Sequence, residues 1–441
     1  MKQILIFGAG KSATVLIEFL IAHAPKNKWH LTVVDSNLSL VQSKTGKSYF
    51  ATPLAFDIQQ EITRRKLVEN SDLVISLLPP SLHLLIAQDC LLYQKHLLTA
   101  SYADQKIQKL GPEIRKAGLL FVYEMGLDPG LDHMSAMNLI HSIKRKGGLI
   151  RSFRSFCGGL MDPSSNDNPW SYKISWNPAN VVLAGKSGAT FKDKGKIVEL
   201  CYEELFDQGK TIQVSGLGKL AYYPNRDSLN YMKLYQLEES ETFLRATLRF
   251  PEFCEGWNAL VRLGLTDDKA KVNTDELPYF KWASQKLKNK FPASSEESFT
   301  EFLGTKDNSR VITQLKFLGF LNGGLINQGE RTNAEILQSV LENKLKMLPD
   351  DHDLVVMQHE IRFERCRIET CLVSSLMITG ENSLNTAMAK TVGLPLGIMA
   401  KLILTGKMPL IGLHIPIVPE IYQPVLKELE EQGIRFEERF E

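Results

Sequence analysis

Short, continuously apolar runs alternate with amphipathic stretches over the first third of the chain. The first run, Ile4–Phe7, precedes an apolar stripe at residues 15–20 that has the spacing of a helix. Further apolar runs follow at residues 31–34, 72–78, 96–100 and 119–123. Such runs are typical of strands that are buried on both faces of a parallel sheet. The pattern therefore predicts an α/β fold with a Rossmann-type, doubly wound parallel sheet.

A glycine motif stands between the first predicted strand and the first predicted helix. The segment GAGKSA, from Gly8 to Ala13, matches the pattern GxGxxG/A. Gly8 permits the tight turn, Gly10 lets a pyrophosphate approach the backbone, and Ala13 lets the helix lie close to the strand. Lys11 and Ser12 open the helix, whose free N–H groups favour phosphate. These five residues are predicted to bind a dinucleotide.

The second predicted strand ends at Asp35, near the usual position of the acid that binds the adenosine ribose. A carboxylate there accepts hydrogen bonds from the ribose hydroxyls and repels a 2′-phosphate. No arginine occurs among residues 36–39. The sequence therefore predicts NAD as the cofactor and disfavours NADP.

Composition narrows the class of protein. The chain of 441 residues has 52 Lys+Arg against 50 Asp+Glu, a net charge of +2 that indicates neither a nucleic acid nor an anionic membrane partner. The longest apolar runs are broken by Lys, Asp or Gly, so no membrane span is expected, and the apolar start is too short for a signal peptide. The six cysteines show no ligand spacing, so no metal site is expected. We expect a cytoplasmic enzyme with reduced thiols.

Several longer strings resemble the saccharopine dehydrogenase (saccharopine reductase) family. They are DLVISLLPPSLH, LLTASYAD, EMGLDPGLDHMSAMN, SFCGGLMDPSSNDNPWSYKISW, YPNRDS, RATLRF and AMAKTVGLP. They occur in the family's order along residues 1–441, with a poor match at 261–345. The resemblance implies that saccharopine, NAD(P) and water interconvert with glutamate, 2-aminoadipate 6-semialdehyde and reduced cofactor.

The resemblance also implies a domain organisation. It predicts a nucleotide-binding domain at residues 1–132 and a mixed α/β domain, for substrate binding and dimerisation, at 133–260 and 346–381. A small helical domain is predicted at 261–345, and a C-terminal segment, 382–441, is expected to return to the nucleotide-binding domain. The protein is expected to be a monofunctional homodimer that acts on an amino-acid substrate.

Family contacts transfer to individual positions of this chain. Cofactor contacts fall on Ser12, Asp35, Asp57, Leu78, Ala100, Leu127, Asp128 and Pro129. Substrate contacts fall on Ser101, Tyr102, Asp128, Arg226, Thr247, Leu248 and Arg249. Arginines suit a substrate with three carboxylates, because the planar guanidinium binds a carboxylate through two hydrogen bonds. NADP-using members carry an arginine just past the second strand, where this chain has Val34-Asp35-Ser36.

The sequence does not decide which residue transfers the proton; the candidates are Asp128, Tyr102 and Lys173. Cys157 is predicted to pack as a small apolar residue, since hydride transfer needs no nucleophile. A carboxynorspermidine-type dehydrogenase is one alternative to the saccharopine reaction. A catalytically silent NAD-binding dimer is the other. The direction of the reaction, towards lysine synthesis or breakdown, is left open by the sequence.

Overall fold

The computed structural model describes residues 1–287, 295–306 and 309–441, which form two compact units. One unit comprises residues 1–150 and 363–441, and the other comprises residues 151–362. The four-part division from the family resemblance stays a prediction. Part of its helical domain, residues 288–294 and 307–308, lies outside the described residues.

The first 150 residues alternate strands and helices. The strands are β1 (Lys2–Phe7), β2 (Trp29–Asp35), β3 (Ala51–Ala55), β4 (Leu73–Ser76), β5 (His96–Thr99) and β6 (Leu120–Val122). The helices are α1 (Thr14–Asn27), α2 (Leu38–Thr45), α3 (Glu61–Glu69), α4 (His83–Leu92), α5 (Gln105–Lys109), α6 (Gly111–Lys116) and α7 (Leu131–Arg145). The strands form one parallel sheet in the order β3-β2-β1-β4-β5-β6. The predicted doubly wound sheet is confirmed, and its strand order reverses between β1 and β4, where such folds bind nucleotides.

Two details of this sheet differ from the sequence pattern. The segment from Asp104 to Gly118 has a pattern that predicts one helix, but the structure has two, α5 and α6. Pro112 has no N–H that could donate to the carbonyl four residues earlier. The first helix therefore ends, and a second helix begins with this proline in its first turn. Strand β3 escaped prediction because it lies at the sheet edge, is only partly buried and contains Pro53.

The second unit is built on a mixed sheet. Its strands are β7 (Leu149–Met161), β8 (Ala189–Asp193), β9 (Lys196–Leu200), β10 (Thr211–Val214), β11 (Gly218–Pro224), β12 (Arg226–Asp227), β13 (Thr242–Arg249), β14 (Lys271–Asn273), β15 (Glu330–Thr332) and β16 (Asp353–Arg365). Its described helices are α8 (Pro178–Val182), α9 (Leu229–Leu234), α10 (Pro251–Arg262), α11 (Tyr279–Ala283), α12 (Glu296–Leu303), α13 (Arg310–Leu318) and α14 (Asn333–Lys344). The main strands run in the order β10-β11-β13-β7-β16, with β13 parallel to β7 and antiparallel to β11. A core rich in aromatic residues, including Trp170, Trp257 and Trp282, joins the helices of this unit.

The last part of the chain completes the first unit. It contains β17 (Ile368–Thr379), α15 (Ala387–Leu404), β18 (Gly412–His414), α16 (Pro419–Glu431) and β19 (Glu437–Phe440). Strand β18 pairs in parallel with β6 and becomes the seventh strand of the sheet. Helix α15 packs on α1, α16 packs on α7, and β19 pairs with β17. The parallel sheet is therefore assembled from both ends of the chain.

Helix α15 is long and apolar enough to cross a membrane by length and composition. It is the one helix of the described residues with these properties, and 78% of its apolar window is buried inside the protein. Burial of this degree is typical of a core helix.

Candidate active site

The turn after β1 has a shape that requires glycine. Gly8 has a φ of +100°, and a Cβ placed on it would lie 2.7 Å from the carbonyl oxygen of Leu77. Its N–H donates to the carbonyl of Val34 at 2.8 Å. The turn therefore lies in close contact with the end of β2 on one side and the end of β4 on the other.

The next glycine faces open space. A Cβ on Gly10 would meet no atom within 4 Å, and the chain then enters a short 3-10 turn, Lys11–Ala13, that leads into α1. Ala13 is buried, so the helix start lies against the sheet. A helix N-terminus beside an accessible glycine backbone fits a pyrophosphate group. The cofactor predicted from GAGKSA therefore fits the residues that are present.

The carboxylate of Asp35 is engaged by the fold itself. Its Oδ2 accepts a hydrogen bond from the N–H of Ala9 at 2.8 Å. Its Oδ1 accepts from the N–H of Asn37 at 3.2 Å and from the hydroxyl of Ser36 at 3.3 Å. Asp35 thereby ties the end of β2 to the glycine turn. Because both carboxylate oxygens already accept hydrogen bonds from the protein, the presence of Asp35 does not by itself indicate which cofactor binds.

His83 links two strand ends at the same edge of the sheet. Its Nδ1 lies 2.9 Å from the hydroxyl of Ser76, the last residue of β4, and its Nε2 lies 2.6 Å from the hydroxyl of Ser101, just past β5. Burial lowers the pKa of His83 to about 4. The ring is therefore neutral near pH 7, with one nitrogen donating and the other accepting. Sequence reasoning missed this residue, although it ends the string DLVISLLPPSLH.

The loop after β6 is held by a buried network. Oε2 of Glu124 lies 2.9 Å from Nε2 of His133, and Oε1 accepts from the N–H of Ala103 at 3.2 Å. Oδ1 of Asp132 accepts from the N–H of Gly130 at 2.6 Å, while its Oδ2 lies 3.5 Å from Nδ1 of His133. These contacts give the segment between β6 and α7 a defined shape.

Most of the predicted contact residues of this unit lie at the carboxyl ends of its strands. The peptide bond between Asp128 and Pro129 is cis, Asp128 is half-buried, and Leu127 is buried. A Cβ on Gly126 would lie 2.9 Å from the Cβ of Ala100, so the ends of β5 and β6 approach closely. The half-buried residues at these ends are Leu78, Ala100, Ser101 and Tyr102. Asp57 is exposed past β3 and accepts from the N–H of Gln59 at 2.9 Å.

In the second unit, Arg249 is a buried cation at the end of β13. Its guanidinium carbon lies 5.5 Å from the ring centre of Tyr172 and 5.3 Å from that of Phe253. One terminal nitrogen donates to the carbonyl of Leu248 at 2.7 Å, but Nε has no hydrogen-bond partner. Within the described residues, no carboxylate forms an ion pair with it. Because buried charges and donors need partners, this arrangement fits an anionic ligand.

The other predicted residues of this unit are in different environments. Arg226 is exposed and has a φ of +52°. Thr247 is half-buried and Leu248 is buried, both on β13. Cys157 is also buried, which agrees with a packing role.

Lys173 is held between two carboxylates. Its ammonium lies 2.8 Å from Asp351 and 2.9 Å from Asp167. Burial alone lowers the pKa of Lys173, but the hydrogen bonds to Asp351 and Asp167 outweigh it and the pKa is raised. A lysine in this state is a poor proton acceptor near pH 7.

Comparison with known proteins covers nearly the whole chain. Residues 4–122 match the saccharopine dehydrogenase NADP binding domain, and residues 126–434 match the saccharopine dehydrogenase C-terminal domain. The chain is 31% identical to saccharopine dehydrogenase (NADP(+), L-glutamate-forming) of Schizosaccharomyces pombe, with 99% of both covered. It is 32% identical to the mitochondrial alpha-aminoadipic semialdehyde synthase of Mus musculus, with 99% of this chain and 47% of that protein covered. An apo saccharopine dehydrogenase (L-Glu forming) from Saccharomyces cerevisiae has a similar structure, with a TM-score of 0.87, 31% identity and full coverage of both chains.

These findings contradict the prediction of NAD. The matching family model is an NADP binding domain, and the relatives of similar length are named for NADP(+). The prediction treated Asp35 as a free carboxylate that accepts from the ribose and repels a 2′-phosphate. In the structure this carboxylate accepts from Ala9, Ser36 and Asn37, so its presence does not indicate NAD.

The fold, the glycine turn and the matches along residues 4–434 lead to one conclusion. This chain belongs to the saccharopine dehydrogenase family.

Proposed function

We propose that this protein is an NADP-dependent oxidoreductase of lysine metabolism. It interconverts saccharopine, NADP and water with glutamate, 2-aminoadipate 6-semialdehyde and NADPH. The names of the relatives with similar length support this reaction. The single observation that carries it is Arg249, a buried guanidinium with an unpaired Nε. A substrate with three carboxylates offers the partner that this cation lacks.

The first unit binds the cofactor in this proposal. The segment from Gly8 to Ala13 receives the pyrophosphate, while Asp35 holds the turn in shape. When bound, the cofactor accepts or supplies a hydride at its nicotinamide ring. Leu78, Ala100 and the segment Leu127–Pro129 are proposed to contact it from the ends of β4, β5 and β6.

Ser101, Tyr102 and Asp128 are proposed to contact the substrate, together with Arg226, Thr247, Leu248 and Arg249. The neutral ring of His83 holds the hydroxyl of Ser101 in one direction, which prepares it to bind a polar group. Asp128 and Tyr102 stay the candidates for proton transfer. Lys173 is less suited, because its ammonium is paired with Asp351 and Asp167.

An absorbance assay tests the proposal. Purified protein, saccharopine and NADP should give an increase at about 340 nm, and glutamate should appear in the same amount as reduced cofactor. A matched reaction with NAD should be slower. No turnover with saccharopine in either direction, from protein that folds and binds NADP, would reject the reaction.

The two alternatives give different results in the same assay. A carboxynorspermidine-type enzyme would oxidise NADPH only with a diamine and an aldehyde partner, and a silent protein would bind cofactor without turnover. The names of the relatives do not favour either alternative. The family resemblance also supports a homodimer, which light scattering of the purified protein would test.

A further inference from the structure

Lys44 extends from helix α2 back to the glycine turn. Its ammonium donates a hydrogen bond to the carbonyl oxygen of Gly10. Helix α2 starts directly after β2, where the side chain of Asn37 caps it by accepting from the N–H of Leu40. This short connection places a cation beside both the glycine turn and the end of β2. The adenosine ribose of a dinucleotide lies there in this fold.

Three charged side chains act on Lys44. It interacts electrostatically with Asp35 and Glu18, and it is repelled by Lys11. Asp35 already accepts from the N–H groups of Ala9 and Asn37, so its charge is spread over several donors. The charged groups that act on Lys44 are thus the cation of Lys11, the carboxylate of Asp35, which the backbone engages, and the carboxylate of Glu18 on α1.

We propose that Lys44 binds the 2′-phosphate of NADP and thereby sets the preference for NADP over NAD. This inference rests on the proposed NADP-dependent function. A lysine ammonium binds phosphate as a point charge and needs no fixed orientation.

The acid–base state of Lys44 supports the same role. Burial lowers the pKa of Lys44 to about 8, although Asp35 and Glu18 act in the opposite direction. A phosphate dianion favours the charged ammonium, so binding raises this pKa. The contribution of Lys44 to NADP affinity is then fully present below about pH 8 and is lost as the pH rises above it.

Titration calorimetry with NADP, NAD and adenosine 2′,5′-bisphosphate tests the inference without any turnover. Lys44→Met keeps the apolar stem and removes the charge. It should weaken NADP and the bisphosphate by about 10-fold to 100-fold, the usual range for one charged hydrogen bond, and leave NAD within about threefold. Lys44→Arg should retain most of the affinity for NADP. Lys47→Met is the matched control, because Lys47 is exposed just past the same helix and should change nothing.

A pH series adds a second readout. Between pH 7 and 9.5, NADP should bind more weakly above about pH 8 in the unmodified protein, whereas Lys44→Met should lack this component and NAD should show none. If the unmodified protein binds NADP no better than NAD, the proposed cofactor is wrong and this inference fails with it. If it prefers NADP but Lys44→Met keeps that preference, or loses NAD equally, only the role of Lys44 is overturned.

Discussion

Arg249 and Arg226 show how much the surroundings of a charge decide its role. The two arginines have the same chemistry, and both match family substrate contacts. Arg249 is buried between aromatic rings with an unpaired Nε, whereas Arg226 is exposed on a two-residue strand. A substrate carboxylate bound to the buried Arg249 is shielded from water. An ion pair with the exposed Arg226 is screened by water and is worth at most about 1 kcal/mol.

Replacing Arg249 should therefore impair substrate binding strongly. Arg249→Met leaves the substrate carboxylate without its partner, which costs about 2–5 kcal/mol. This corresponds to a loss of about 30-fold to several thousand-fold in kcat/KM for saccharopine. The Kd for NADP, measured by calorimetry, should hardly change.

Two further variants make this result interpretable. Arg249→Lys keeps the charge and should recover part of the activity, while thermal unfolding checks that the variants fold. Arg226→Met serves as the comparison and should lose less than Arg249→Met. The assignment of Arg249 is untenable if Arg226→Met loses activity and Arg249→Met retains it.

At the scale of elements, the contact between α1 and α15 depends on small residues. A Cβ on Gly393 would lie 2.7 Å from the backbone nitrogen of Leu16, and one on Gly397 would lie 2.6 Å from the ring of Phe19. Glycine is unfavourable within a helix by about 1 kcal/mol relative to alanine. Its use here indicates that the close approach of the two helices outweighs helix propensity.

Gly393→Ala should therefore destabilise the protein despite the better helix former. The new methyl group meets backbone that cannot move aside, and overpacking of this kind costs about 1–3 kcal/mol. Urea unfolding, followed by circular dichroism, measures the change in the free energy of unfolding. Gly111→Ala is the control. Gly111 is the first residue of α6, and its new methyl group would lie 3.9 Å from the side chain of Leu413, an ordinary van der Waals contact. The control should be neutral or slightly stabilising, and an equally stable Gly393→Ala would contradict the packing argument.

At the scale of the whole molecule, the nucleotide-binding unit needs residues from both ends of the chain. Strand β18 covers the edge of β6, and α15 covers α1. Residues 1–150 alone would expose that strand edge and the apolar face of α1, including Leu16 and Phe19. Exposed strand edges and large apolar faces promote aggregation.

A chain that stops after Glu381 should accordingly fail to form a stable nucleotide-binding unit. It lacks α15, β18, α16 and β19, and we expect it to be insoluble or to bind no NADP. Removal of residues 437–441 alone deletes only β19, whose residues are all exposed and which pairs with β17, outside the parallel sheet, and should leave NADP affinity intact. A soluble 1–381 chain that unfolds cooperatively and binds NADP would refute this expectation.

The amino-acid sequence alone was enough to predict the class of fold and a glycine turn that fits a pyrophosphate. Apolar runs such as Ile4–Phe7 report burial through their own composition, and Gly8 is required by a turn made of adjacent residues. Both signals are local, so they can be recognised without knowledge of the fold. The long strings such as EMGLDPGLDHMSAMN were specific enough to indicate the family, which the comparisons confirmed.

The tertiary structure alone decided how individual charges are used. The sequence places Asp35 at the usual position of a ribose ligand, but in the structure its carboxylate accepts hydrogen bonds from the N–H groups of Ala9 and Asn37. The prediction of NAD, which depended on Asp35, was wrong. Lys44 contacts Gly10, and His83 contacts Ser101, across stretches of chain whose sequence pattern gives no sign of either contact. The physical reason is that the role of a charged or polar group depends on its burial and on its partners. Residues that are distant in sequence supply both, and only the folded chain brings them together.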